Sequence, residues 1–376
     1  MSEYFDYGGK VAEPENNFKL WATEGNKTAL IDADLLPYRV GYMIDPTKEL
    51  MAKELVADGI CSCIEDTPQF EAAFDQLCSS LNKWVKAAKC DSAILFATDS
   101  NSNYRLDLAY TEDYKGQRTD EKPPFFCELK NAMVERLGCR MSNGNEADDD
   151  LSITAMMMAE SLGLEVGTPM HKELCPTVTC SSDKDSSITP TWHYNPDTGK
   201  LKFTSVLGTL EPKYKNAMVN HYEYIGTGQF YTRGANAGKQ KTKRVLVGKK
   251  PSEAITKLGG SGLKFFYAQL IMGDTADNYS GLPNRGMTYA YNLLDSCKSE
   301  RELYMAVLGA YKEVYGTGLH RCENFRGGYA MLTAYDRMLE QGRMAWMQQK
   351  PNQIWREGKG QVISGTDKEF WYDNID

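Results

Sequence analysis

Three short apolar runs, each closing on aspartate, constrain this chain more than any other feature. The stretch "KTALIDADLLPYR", residues 27 to 39, places Ala29, Leu30 and Ile31 in a short buried strand that ends in Asp32 and Asp34. A helical segment follows in "FEAAFDQLCSSLNKWVKAAK", where Phe70, Phe74, Leu77, Leu81 and Trp84 recur at helical spacing. Then "SAILFATDS" ends in Asp99, and "PTVTCSSDKDS" ends in Asp183 and Asp185. Strands alternating with helices predict a mostly parallel sheet flanked by helices. Ligands of such sheets gather beyond the carboxyl ends of the strands. A metal site built along one sheet edge leaves this pattern.

A denser acidic stretch lies between the second and third runs. "NGNEADDDLS", residues 143 to 152, packs Glu146, Asp148, Asp149 and Asp150 into five positions, where like charges repel. One reading is a solvated helix start, where acids meet the positive end of the helix dipole. The other is a cation site. Asn143 and Gly144 break the chain, and a helix is expected to start close to Glu146, with Ile153, Met156 and Met157 as its packing face. On an ideal helix Glu146, Asp149 and Asp150 share one side and Asp148 points elsewhere. At a fraying start Glu146 and Asp148 can still meet one ion.

Composition sets wide bounds. At 376 residues, 41% hydrophobic and 25% charged, the chain is an ordinary globular protein with room for two lobes. No apolar run is long enough for a membrane span, and the polar start "MSEYFDYGGKVAEPENN" lacks the segments of a secretory signal. Ten scattered cysteines form no CxxC pair and no zinc-finger spacing, so free thiols in a cytoplasm are expected. The net charge of −8 argues at first against a nucleic-acid partner. Carboxylates neutralised by bound divalent ions would weaken that argument.

Four segments are expected: an extension over 1–26, a core over 27–200, a Gly/Lys-rich insertion over 201–262 and a helical region over 263–376. "TWHYNPDTGKLKFTSVLG" reads as a β-hairpin with its turn at Asn195, Asp197 and Gly199. The insertion holds "GTGQFYTRGANAGKQKTKRVLVGKKPSE", with Lys239, Lys241, Lys243, Arg244, Lys249 and Lys250. It reads as a solvated loop or as a phosphate-contacting arm. In "GLKFFYAQLIMGDTADNYSGLPNRGMTYAYNLL", Asp274 and Asp277 lie three apart, and the glycines and proline of the following turn offer backbone N–H groups at a helix start. Beyond residue 300 the chain reads as mostly helical.

Collected, the acids at element ends are Asp32, Asp34, Asp99, Glu146, Asp148, Asp149, Asp183, Asp185, Asp274 and Asp277. Hard oxygen donors without histidine or thiolate favour Mg²⁺ or Mn²⁺. Two such ions ~4 Å apart serve phosphodiester hydrolysis.

In order, "LIDAD", "FATDSNSNYR", "YKGQR", "EADDD", "SSDKDS" and "IMGDTADNYSGL" resemble the motifs of the 5′–3′ exonuclease and flap-endonuclease superfamily, whose core is PIN-like. The likeness is greatest to the bacteriophage enzymes of DNA replication, and it spans residues 27 to 295. The resemblance implies that Asp32, Asp99, Glu146 and Asp148 hold a first metal. It implies that Asp149, Asp183, Asp185, Asp274 and Asp277 complete a second site. Lys115 and Arg118 would lie in a helical arch, expected near 105–135, and touch the scissile phosphate; Tyr104 and Arg105 would clamp a frayed 5′ base. "GLPNRG", with Gly281, Arg285 and Gly286, would match a helix–three-turn–helix that holds duplex DNA, often with a monovalent cation. Asn284 and Arg285 stand where that family usually has glycine and an aliphatic residue.

The expected activity is therefore 5′–3′ exonuclease action on duplex DNA, with flap cleavage or RNA-primer removal alongside, in a host bacterial cytoplasm if the chain is viral. Three rivals are a haloacid-dehalogenase-type phosphatase, a PIN-type ribonuclease and an inactive DNA-binding relative. The first leaves "EADDD" and "GDTADN" unexplained, and PIN-type ribonucleases are generally shorter. An inactive protein has no reason to keep so many repelling carboxylates.

Overall fold

The computed structural model describes residues 27–99, 102–117, 121–214, 218–251 and 254–356. Its centre is a six-stranded sheet of β1 (Thr28–Asp32), β2 (Ser92–Thr98), β3 (Arg140–Ser142), β4 (Thr177–Cys180), β5 (Trp192–Asn195) and β6 (Lys200–Phe203). The strand order is β3-β2-β1-β4-β5-β6, parallel throughout except for the β5–β6 hairpin. All five residues of β1 are buried, as suits a central strand covered on both faces. From β1 the chain steps outward to β2 and β3, then crosses back to β4 on the other side. Strand order thus reverses at β1, and a reversal of this kind opens a crevice at the carboxyl ends.

Alternation along the strands divides the core. Ala29, Ile31, Ala93, Leu95 and Ala97 face α1 (Leu35–Gly41), α2 (Pro46–Ala57), α3 (Pro68–Ala87) and, beyond α4 (Tyr104–Leu108), α5 (Phe126–Leu137). Leu30, Ile94 and Phe96 face the other way, onto Leu151, Ala155 and Met156 of α6 (Ala147–Ser161). In α3 the expected apolar face is buried, and the Thr67 hydroxyl accepts from the Phe70 N–H while Pro68 takes the first helical position.

After α7 (Pro169–Leu174), a second core forms. It lies among α8 (Gly262–Met272), α9 (Met287–Leu294), α10 (Glu300–Tyr315) and α11 (Ala334–Ala345). Three expectations change in this half of the chain. A hairpin of β11 (His320–Glu323) and β12 (Tyr329–Leu332) interrupts the region read as helical. The expected boundary between residues 200 and 201 falls within β6. The Lys-rich insertion is built of strands rather than loop. It is a pair, β7 (Thr209–Tyr214) with β10 (Ile255–Ser261), from which a ribbon of β8 (Met218–Phe230) and β9 (Gln240–Pro251) extends. Among the described residues no helix is long and apolar enough to cross a membrane, and no disulfide forms.

Candidate metal centre

Three strand ends and one helix start deliver carboxylates to a single cleft. Asp32 closes β1, Asp99 follows β2, Glu146 and Asp148 open α6, and Asp183 follows β4. All five line a cavity of about 570 Å³, together with Asp34, Tyr38, Lys115, Lys122, Phe126 and Lys130. The Ser181 hydroxyl donates to Asp32 Oδ2 at 2.8 Å, and Asp34 accepts from the Thr98 N–H at 2.9 Å and pairs with Lys130 at 3.3 Å. Residues far apart in sequence are therefore held by the sheet rather than by local turns.

Glu146 is the N-cap of α6 in an extended conformation, and it forms a capping box with Asp149. From that start the acids diverge. Glu146 and Asp148 look into the cleft. Asp149 turns inward: its Oδ2 accepts from Arg105 Nη1 at 2.6 Å, and its Oδ1 from Arg105 Nη2 at 2.9 Å and the Gln348 N–H at 3.0 Å. Asp150 accepts from Asn145 Nδ2 at 3.0 Å.

Next to the cleft stands a second group, Asp185, Asp274 and Asp277, whose ligand atoms all lie within 4.8 Å of one another. Asp185 opens the 3₁₀ turn Asp185–Ile188 after β4. Asp274 and Asp277 sit in a tight turn after α8, closed by reciprocal N–H···O=C bonds between Asp274 and Tyr279. That turn needs glycine at 273 and 281. Both have positive φ, and a Cβ at either would lie 2.4 Å from backbone atoms. Gln269 donates to Asp185 at 2.5 Å, and Lys184 pairs with Asp274 at 2.5 Å.

Lys115 joins the two groups. Its ammonium bonds Glu146 and lies 3.7 Å from Asp277, and its backbone N–H donates to the Asp277 carbonyl at 3.0 Å. The buried Tyr114 hydroxyl donates to Glu146 at 3.0 Å. Residues Tyr110 and Thr111, just before, are pinned by Glu340 of α11, which accepts both of their N–H groups.

Electrostatics separates these acids. Burial, then the charges of Asp34 and Asp183, push Asp32 up to about 7. Burial pushes Asp148 well above the carboxylate range, with Asp32, Asp183 and Glu146 adding to it. Asp185 moves the same way through burial and Asp183. At Glu146 burial opposes ionisation, but Arg105 and Lys115 outweigh it and hold the carboxyl low. Asp148 Oδ1 is buried and accepts no hydrogen bond among the described residues. An all-oxygen donor set with unrelieved repulsion and an unserved buried acceptor fits hard divalent cations.

Several expected assignments change. Asp149 is not a cleft ligand, because Arg105 occupies both its oxygens. Arg105 is fully buried, donating also to the carbonyls of Met344 at 3.1 Å and Trp346 at 2.5 Å, so it cannot clamp a strand. Its guanidinium covers the Tyr104 ring at 4.7 Å, and the Tyr104 hydroxyl is buried, which removes that ring as a base platform. Gly281 is buried and its N–H donates to Gln341 at 2.8 Å, leaving nothing for phosphate. Gly286 is exposed at the N-cap of α9, and Arg285 lies 3.7 Å from Glu313 with its guanidinium 4.6 Å from the Tyr289 ring. Arg118 lies outside the described residues. Among the described residues, the expected arch contains α4, irregular stretches over 109–117 and 121–125, and α5. Sequence reasoning missed the cleft's lip, where Lys122 donates to the Tyr38 hydroxyl at 2.7 Å and lies 4.9 Å from the Phe126 ring. The basic and aromatic residues of "KPPFF" were its only signal.

Fold and cleft together define an α/β protein with an acidic, cation-adapted crevice at its sheet edge. No family model and no curated protein matches the chain. Among solved structures it is similar to the T5 D15 protein co-crystallised with metal ions, at 14% identity and a TM-score of 0.40 over 76% of this chain and 79% of that one. It is also similar to a mutant of the T5 5′-exonuclease, at 14% identity and a TM-score of 0.35 over 75% and 86% of the two chains. A T5 flap endonuclease pseudo-enzyme–product complex with DNA and metal ions gives 13% identity and a TM-score of 0.35 over 85% and 99%. The likeness is loose, and the acid cluster itself carries the functional reading.

Proposed function

We propose that the protein is a metal-dependent nuclease that hydrolyses phosphodiesters from the 5′ ends of duplex DNA. One observation carries this. Five carboxylates from four separate elements converge on one cleft, and Lys115 links them to a triad able to hold a second ion. Asp32, Asp99, Glu146, Asp148 and Asp183 would hold one cation, and Asp185, Asp274 and Asp277 another. Bound Mg²⁺ or Mn²⁺ would supply water activation and stabilisation of the leaving oxygen.

The chain's own groups do the rest. The Lys115 ammonium, ion-paired at the cleft wall, offsets the charge that grows on the phosphoryl oxygens. Tyr114 orients Glu146 by donating to it. The lip of Tyr38, Lys122 and Phe126 offers a stacking face and a cation to an entering strand. Gly286 and Arg285 lie at the start of α9, where a duplex backbone can meet N–H groups. The setting that suits this chemistry is phage DNA replication, with flap or RNA-primer removal as further substrates.

The test is an assay on 5′-labelled blunt duplex, 5′-flap, RNA-primed duplex and single-stranded RNA, with Mg²⁺ or with EDTA, beside Asp183→Ala. Mg²⁺-dependent release from 5′ ends of DNA, lost in the variant, is expected. Folded protein that cuts none of these substrates removes the nuclease reading, and exclusive cleavage of the RNA replaces it with a ribonuclease.

A further inference from the structure

The β8–β9 ribbon inverts the charge of the rest of the molecule. Residues 218 to 251 hold seven basic side chains, Arg233, Lys239, Lys241, Lys243, Arg244, Lys249 and Lys250, and one acid, Glu223, in a chain whose net charge is −8. Glu223 lies 3.8 Å from His221 rather than beside a lysine. The ribbon buries almost nothing. Tyr224, Ile225, Phe230, Leu246 and Val247 are all exposed. A two-stranded ribbon without a packed face is marginal in water, so it has the form of an element that gains its partner on binding.

The register shows where the cations point. Paired residues share a face, and faces alternate along each strand. Tyr224 pairs with Arg244 and Asn220 with Lys249, which puts Arg244 and Lys249 on one face. Ile225 pairs with Lys243 and Val219 with Lys250, which puts Lys243 and Lys250 on the other. A ribbon lying flat on an anionic surface, a membrane for instance, concentrates its cations on one face. Cations on both faces suit a ribbon that enters a groove with a phosphate wall on each side, and the major groove of duplex DNA admits a two-stranded ribbon. Strands of this length reach roughly 40 Å at ~3.3 Å per residue, about one turn of duplex.

The base of the ribbon is fastened to the metal centre. Gly208 and Gly262 cross in contact, both at positive φ, and a Cβ on Gly208 would fall 1.7 Å from the Ser261 carbonyl oxygen. Ser187, in the same 3₁₀ turn as Asp185, donates to the Gly260 carbonyl of β10 at 3.1 Å. β10 leads directly into α8, which ends at the turn of Asp274 and Asp277.

We propose that the β8–β9 ribbon is a duplex-binding arm that inserts into a DNA groove and fixes the duplex relative to the metal centre. The part that concerns cleavage rests on the nuclease reading, whereas binding by the ribbon does not. The test measures fluorescence anisotropy of a labelled duplex of about three turns, ~30 base pairs, in EDTA across a salt series. Wild-type protein is compared with Lys243→Gln/Arg244→Gln/Lys249→Gln/Lys250→Gln and with the same four positions as Lys243→Arg, Lys249→Arg, Lys250→Arg and Arg244→Lys. Circular dichroism checks folding of each. The glutamine variant should bind at least tenfold more weakly, with a log–log salt slope shallower by ~3–4 if each lost cation frees about 0.9 counterion. The charge-conserving variant should recover both. A second variant replacing 218–251 by a short turn should match the glutamine variant. Wild-type protein that does not bind the duplex, or a folded glutamine variant that binds as wild type does, overturns the inference. So does binding to phosphatidylserine vesicles with none to DNA. Intact salt-dependent binding in a protein that cuts no substrate with Mg²⁺ supports the ribbon and removes only the nuclease reading.

Discussion

Asp148 and Asp149 are adjacent in sequence, and they sit in opposite electrostatic worlds. On the cleft side, Asp32, Asp148 and Asp183 crowd together, while Lys115 and Lys130 form their ion pairs with Glu146 and Asp34. Behind the helix start, Asp149 is fully buried and meets a guanidinium in a two-pronged pair, itself fastened to the carbonyls of Met344 and Trp346. The difference separates structural from functional charge. Where the protein supplies the counter-charge itself, the carboxylate is an internal brace. Where the described residues leave repulsion standing, a bound cation would supply the missing charge.

The sharpest way to break this contrast is to remove the internal counter-charge. Arg105→Met should leave Asp149 buried without its counter-charge and strip the Met344 and Trp346 carbonyls of their donor. Loss of one partner of a buried pair costs about 3–5 kcal/mol. Chemical denaturation should show that loss, and the double variant Arg105→Met/Asp149→Asn should recover a part of it. An Arg105→Met protein within ~1 kcal/mol of wild type would mean that the pair is not a brace.

The cleft side predicts the reverse. Asp32, Asp148 and Asp185 have raised pKa values when folded, so the folded protein binds more protons than the unfolded chain. For Asp32 that holds between the ordinary value of 3.8 and about 7. Stability of metal-free protein is therefore full below the lower value and declines as pH rises through the upper one. Thermal melts in EDTA should fall in Tm from pH 5 to pH 8. Mg²⁺ should raise Tm at pH 8 far more than at pH 5, because it takes the ionised form. Asp148→Asn should raise the metal-free Tm at pH 8 while abolishing cleavage. Equal Mg²⁺ stabilisation at both pH values would place the ion elsewhere.

Legibility in the sequence followed the range of the interaction. The sheet edge was readable because an apolar run and its terminal acid are neighbours, as in Ala29 to Asp32. Asp274 and Asp277 were readable as partners, although a glycine-dependent turn, not a helix, brings them together. Arg105 was not readable as Asp149's partner, because 44 residues separate them and only the packed C-terminal segment makes the contact. The ribbon was hidden differently. Its lysines and glycines masked the strand pattern of "NHYEYI" and "KRVLV", and exposed strands lack the alternation that burial imposes. In β11–β12, the Gly327–Gly328 turn was a local hairpin signal that the surrounding helical spacing obscured.

The third aspartate of the motif gives the smallest effect and the cleanest control. Asp150 belongs to neither world: it is half-exposed, accepts from Asn145 Nδ2, and does not line the cleft. Asn145 is held independently, since its Oδ1 accepts from Gln348 Nε2 at 3.0 Å. Asp150→Ala therefore removes one partly solvated hydrogen bond and one charge near the helix start, together worth about 0.5–1 kcal/mol. Its Mg²⁺ dependence and cleavage rate should match wild type. If Asp150→Ala instead loses activity as Asp148→Asn does, the whole acidic run acts as a diffuse electrostatic field, and the division between brace and cleft fails at its own helix.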